Sequence, residues 1–198
     1  VLSEAGARHS LQDLDIRVLG PSPKALEKLR KQWLAWLERQ KDRDIAPGKD
    51  QSVPNLSSIM LLAETGGARA LLPGDGRGDD IIDGLKTSAA WPAGDTFQVD
   101  LLKLPHHGSA RNVTPEFFRT IKADRYLICA DGTNGNPDPP TLDWLVAAAR
   151  DERREFEMIA TSQTQSLTDF LARFPPRANH YRLRLLPARS HALAIDLA

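Results

Sequence analysis

The hydrophobic pattern changes period several times along the chain, and each change marks a predicted element. Leu14, Ile16 and Val18 alternate with polar neighbours, the period of a half-buried strand, and Gly20-Pro21 ends it. From Ser22 the period lengthens. Leu26, Leu29, Trp33 and Leu37 recur at helical spacing behind a Ser22 N-cap and Pro23, predicting a helix over 22–40 with Trp33 and Trp36 packed on the body. A charged loop containing Pro and Gly occupies 41–54. Two apolar runs, 57–64 and 68–75, flank Thr65-Gly66-Gly67, which signals a hairpin.

Beyond the hairpin, the pattern predicts a short helix over 78–88 and a strand over 96–105. Thr114, Pro115 and Glu116 open a helix over 114–122, and strand 125–131 leads into the loop 134–140. A helix spans 141–156, and two strand-like runs, 180–186 and 191–197, close the chain. Residues 1–10 are polar and small and predict a loosely held start, and no internal repeat is visible. Alternating strands and helices with one hairpin define a layered α/β architecture. The runs 57–64, 68–75, 97–104 and 125–130 are expected in one sheet, with helices near 24–40, 115–122 and 141–154 on its outer face.

Composition narrows the class without selecting a function. The 198 residues are 41% hydrophobic and 26% charged, with a formal net charge of 0, enough for one domain with a real core. No apolar run approaches the ~20 residues of a membrane-crossing helix. The neutral balance gives no bulk electrostatic footprint for nucleic acid, although a local basic groove stays compatible with it. A single cysteine, Cys129, rules out an internal disulfide framework and a multi-cysteine zinc site, and fits a reducing, cytoplasmic compartment. The first residue is valine and no signal-peptide pattern follows, so the chain is expected to be a piece of a larger protein.

Candidate chemistry lies where apolar runs stop. "LLPGD" (71–75) ends one strand in Asp75, and "LPHHGS" (104–109) ends another in His106 and His107. Side chains at strand ends on one sheet edge converge, and open α/β proteins place their sites there. A carboxylate with imidazoles at such an edge is a natural zinc or manganese site. Gly74 and Gly108 allow the tight turns on either side. The bland alternatives are a simple "PGD" turn and a surface-exposed histidine pair. His9, His180 and His191 are isolated, His9 in the loose start and the other two in terminal strands.

"NLSSIMLLAETGGARALLPGDGRGDD" followed by "VDLLKLPHHGSARN" resembles the metallo-β-lactamase superfamily, and more narrowly the hydrolase domain attached to bacterial competence DNA-uptake channels (ComEC type). The stretch "YLICADGTNGNPDPPTLDWL" is similar to that family's next strand, its Gly/Asn loop and the Pro-rich start of a helix. The resemblance runs from about Asn55 to Leu145. It implies an αββα sandwich of which this chain is the C-terminal half, a mixed sheet with helices on its outer face, forming one domain over 1–198.

The resemblance also assigns roles. Asp75 corresponds to a carboxylate that bridges two metal ions, Zn²⁺ or Mn²⁺, and His107 rather than His106 corresponds to the last metal ligand. His106 then faces the substrate phosphate or the leaving group, while Ser109 and Asn112 stabilise the loop. Two departures from the wider superfamily are visible: Asn55 stands about twenty residues before the bridging carboxylate where many members carry a histidine, as in the competence-type branch, and Asn136-Pro137-Asp138 stands in place of His-Pro-His. The main metal motif, His-x-His-x-Asp-His, belongs to the first half of the fold and is absent from this chain. Asp75 and His107 alone are too few for a dinuclear site.

The implied function is the C-terminal part of a metal-dependent hydrolase, most simply a phosphodiesterase or nuclease acting on DNA or another phosphodiester. It needs as partner an N-terminal half that brings the histidine motif. Two other readings stay open: a catalytically inactive interaction module of the same fold, and a hydrolase of a different substrate such as a lactone or thioester.

Overall fold

The computed structural model describes residues 6–40, 57–91 and 93–197. The charged stretch 41–54 and Asn55 lie outside them. Eight strands form one mixed sheet in chain order: β1 (Arg8–Leu11), β2 (Leu14–Gly20), β3 (Met60–Thr65), β4 (Ala68–Leu72), β5 (Phe97–Lys103), β6 (Ile121–Ile128), β7 (Phe156–Ala160) and β8 (Tyr181–Leu185). The first four pair antiparallel, and β4 through β8 run parallel. Gly66 and Gly67 form the two-residue turn between β3 and β4. Both have positive φ (55° and 88°), as the tight primed hairpin turns require.

Among the described residues, α-helices connect or follow these strands: α1 (Pro23–Gln40), α2 (Gly78–Thr87), α3 (Pro115–Thr120), α4 (Pro139–Asp151) and α5 (Gln165–Arg173). Thr114 caps α3 by accepting from Phe117 N at 3.3 Å, and Thr164 caps α5 by accepting from Leu167 N at 3.2 Å. The core lies between the sheet and α2–α5. Leu62, Leu71, Leu102, Tyr126 and Met158 from the strands pack with Ile81, Phe118, Leu145 and Phe170 from the helices.

The opposite face of the sheet is also apolar, carrying Val18, Leu61, Leu72, Leu101, Leu127 and Ile159. None of these belongs to the core cluster, whereas every buried large apolar residue of α2–α5 does. Val18, Leu101 and Ile159 are buried, whereas Leu61, Leu72 and Leu127 are half-buried. Toward β8 this face becomes charged, with Glu157 paired to Arg125 at 3.7 Å and to Arg184 at 3.2 Å.

The two faces therefore differ in their response to truncation. Leu102→Ala, on the helix-covered face, is expected to cost about 2–5 kcal/mol. Leu127→Ala, on the other face, is expected to cost less, about 1–2 kcal/mol, because part of its side chain stays in water in the folded protein. Urea unfolding of both variants checks the difference, and equal losses would mean that the second face is covered.

The fold corrects several expectations. α1 does not pack its Trp pair on the body. Trp33 and Trp36 are 48% and 41% exposed and stack on each other with centroids 5.1 Å apart, while among the described side chains of that helix only Ala25 and Leu29 are half-buried. Of the predicted loose start, residues 1–5 lie outside the described residues, and Arg8–Leu11 is not loose: it pairs with β2 and carries His9. Residues 191–197 are irregular rather than a strand, so His191 is not in one, and His180 lies just before β8. α3 ends at Thr120 and passes directly into β6, four residues before the expected strand. β7 and α5 occupy stretches for which the pattern predicted nothing beyond the end of the 141–156 helix.

Candidate functional site

Because β4 to β8 are parallel, their carboxyl ends share one edge of the sheet, the edge where open α/β sheets bind ligands. Asp75 follows β4, His106 and His107 follow β5, Cys129 and Asp131 follow β6, and Thr161 follows β7. The structure thus brings together the three candidate residues Asp75, His106 and His107. His9, His180 and His191 lie elsewhere: His9 is on the opposite edge strand, and the other two flank β8.

Asp75 sits in a turn built from its backbone. Its N–H donates to Ser58 Oγ at 2.9 Å, and its carbonyl accepts from Asn112 Nδ2 at 2.8 Å. Gly74 before it has φ 56°, and a Cβ there would lie 2.9 Å from Ser58 Oγ, so both conformation and space demand glycine. These bonds fix the turn without using the carboxylate, whose Oδ1 lies 4.0 Å from His107 Nε2.

The histidine pair occupies a short 3₁₀ segment, Pro105–Gly108, in which both residues are left-handed: His106 at φ 45°, ψ 49° and His107 at φ 59°, ψ 18°. For a residue with a Cβ that conformation costs roughly 1–2 kcal/mol, and such strain gathers at functional sites. Hydrogen bonds hold it in place. His106 N donates to Gly74 O at 3.0 Å, and Ser109 N donates to His106 O at 3.0 Å. The loop 134–138 clasps the segment from the other side. Asp138 N donates to Gly108 O at 3.0 Å, and Ala110 N donates to the Asp138 carboxylate at 2.8 Å.

The strain has a measurable consequence. His107→Gly is expected to be about 1 kcal/mol more stable than His107→Ala, since only the backbone preference differs between the two. Thermal or urea denaturation of the pair tests this, and equal stability would mean that the left-handed geometry is not held in solution.

His107 Nδ1 contacts the carbonyl oxygen of Cys129. A carbonyl only accepts, so Nδ1 carries a proton, and in the neutral ring the lone pair is left on Nε2, the nitrogen 4.0 Å from the Asp75 carboxylate. Metal-binding histidines are commonly fixed in this way, with one nitrogen spent on a carbonyl and the other left for the ion. Two ligand atoms each ~2.1 Å from one tetrahedral ion are ~3.4 Å apart, so the 4.0 Å separation is about half an ångström wider than a shared ion would set. The donor set, one carboxylate and one imidazole, suits Zn²⁺ or Mn²⁺. Among the described residues, no three His, Cys, Asp or Glu side chains gather into a metal-binding group. The remaining ligands would have to come from outside this set.

A cavity of about 370 Å³ opens beside His107, lined by Cys129, Asp131, Asn134, Asn136 and Thr161 among others. Hydrogen bonds from the Thr133 backbone and side chain hold the Asp131 carboxyl below its ordinary range. Burial pushes the Cys129 thiol up, so it is no ready thiolate nucleophile. Ser109 is buried and Asn112 is bonded to the Asp75 turn, so both are tied into loop structure. Sequence reasoning gave no role to Ser58 or Asp138. Ser58 lies within the quoted "NLSS". Asp138 falls in the predicted loop 134–140, and its carboxylate is spent on Ala110 N.

No protein-family model matches this chain, and no curated protein matches it. Within the described residues no helix is long and apolar enough to cross a membrane. The chain is an α/β protein with an eight-stranded mixed sheet.

Proposed function

We propose that this chain is the C-terminal half of a metal-dependent hydrolase of the metallo-β-lactamase type, closest in motif to the competence-associated branch, and that it cleaves phosphodiesters. One observation carries the reading. Two consecutive histidines are held in left-handed backbone at the carboxyl edge of the sheet, with His107 Nε2 turned toward the Asp75 carboxylate at 4.0 Å. Left-handed backbone favours glycine, so histidine at both positions speaks for a use of the rings themselves.

Asp75 and His107 would hold the metal, and His106 would face the substrate. A bound pair of divalent ions would supply Lewis-acid stabilisation of phosphoryl charge and an activated nucleophile at neutral pH. The residues of this chain contribute position: the Ser58 and Asn112 bonds fix the Asp75 turn, and the Cys129 carbonyl fixes the His107 ring. The apolar second face of the sheet, with no helix of the core cluster against it, suits an N-terminal half bearing His-x-His-x-Asp-His.

The test is hydrolysis by a protein that joins this chain to such a half. Single- and double-stranded DNA and a simple phosphodiester are assayed with added Zn²⁺ or Mn²⁺. Metal-dependent cleavage of any of them is the expected result. Cleavage of a lactone or thioester alone would keep the hydrolase and replace the substrate. Absence of all activity with metal bound would favour an inactive module.

A further inference from the structure

We propose that Asn112 is the positioning residue of this site: its one carboxamide sets the tautomer of His106 and holds the turn that carries Asp75. The inference rests on the reading of Asp75, His106 and His107 as site residues. It concerns how they are held, which that reading leaves open.

The chemistry of the amide fixes its orientation. Asn112 Nδ2 lies 2.8 Å from Asp75 O and 3.4 Å from Gly76 O, and both are carbonyl oxygens, which only accept. The amino group must therefore face them. Oδ1 is thereby turned to His106 Nδ1, 2.9 Å away, and since an amide oxygen only accepts, the ring proton sits on Nδ1. The neutral His106 ring then carries its lone pair on Nε2, ready to accept from a hydroxyl or water. The main chain adds to the clamp, because Gly78 N donates to Asn112 O at 2.7 Å. One residue thus ties the 74–78 turn to the imidazole beside it.

The two tasks can be separated by substitution. Asn112→Asp keeps an acceptor for His106 Nδ1–H but places oxygen against two carbonyl oxygens. Asn112→Ala removes both functions. A residue that only filled space would affect loop stability in either variant and leave the His106 tautomer unchanged.

Long-range ¹H–¹⁵N correlation spectra report which ring nitrogen carries the proton, and amide exchange reports the 74–78 turn. In the unsubstituted protein His106 is expected as the Nδ1–H tautomer. In Asn112→Ala the tautomers mix, and the amides of residues 74–78 exchange about tenfold faster, the loss of one ordinary hydrogen bond. In Asn112→Asp the exchange accelerates similarly while the Nδ1–H tautomer persists. A proton on Nε2 in the unsubstituted protein overturns the proposal without any variant, and so does an unchanged tautomer in Asn112→Ala. Failure of the metal reading would show separately. Mn²⁺ would then leave the Asp75 and His107 signals unperturbed while the His106 tautomer stayed as expected.

Discussion

Asp75→Asn is expected to lower metal-dependent hydrolysis by about a thousandfold or more in the assembled protein while leaving its stability nearly unchanged. Loss of a metal-holding carboxylate removes several kcal/mol of transition-state stabilisation, and each 1.36 kcal/mol is tenfold in rate. Stability is spared for a structural reason. The Asp75 turn is held through the backbone N–H on Ser58 and the backbone carbonyl on Asn112, not through the carboxylate. Asparagine is isosteric and keeps both bonds, so the change in folding free energy should stay within about 0.5 kcal/mol. A hydrolysis assay run beside a thermal melt separates the two effects. Full activity in Asp75→Asn would remove this residue from the site.

The two adjacent histidines should behave differently, although they share one short turn. His107 has Nδ1 on the Cys129 carbonyl and Nε2 toward Asp75, so His107→Ala is expected to reduce metal occupancy and rate together. His106 has Nδ1 on Asn112 and no ring nitrogen paired with Asp75. Its removal should lower kcat by about 10²–10⁴, the ordinary contribution of a proton-transferring group, with little change in metal content. Parallel measurement of bound Zn²⁺ and of kcat for each variant distinguishes the roles. Equal loss of metal in both would make His106 a ligand too.

The parts of this site legible in the sequence are those that sit at punctuation. Gly66-Gly67 marks the hairpin because a two-residue turn needs positive φ. Asp75 and the histidine pair stand out because apolar runs stop just before them. What connects them was not legible. The resemblance implies that Asn112 stabilises the loop, but its meeting with Asp75 across 37 residues, and that of Asp138 with Ala110 across 28, has no local mark in the sequence.

The missed elements have local causes as well. β7 has only five residues, pressed between the end of α4 and the cap of α5, too short for a period to appear. The charges of Lys122, Asp124 and Arg125 hid the first half of β6. Those residues lie in a strand because their neighbours Ile121 and Ala123 reach the core. The period of α1 was read correctly, but periodicity identifies an apolar face without saying what covers it. Here Trp33 and Trp36 face outward. The run 191–197 alternates as a strand would, yet it is irregular.

The central claim is that Asp75 and His107 form a divalent-metal site at the carboxyl edge of the sheet, and Mn²⁺ titration followed by NMR tests it most directly. Paramagnetic broadening reports even weak binding, as expected of two protein ligands. Signals of residues 74–76 and 106–108, and of the neighbouring Cys129–Asp131 backbone, should broaden first. That selectivity should disappear in Asp75→Asn and in His107→Ala. Broadening spread evenly over the acidic surface, or unchanged by either substitution, would contradict the account.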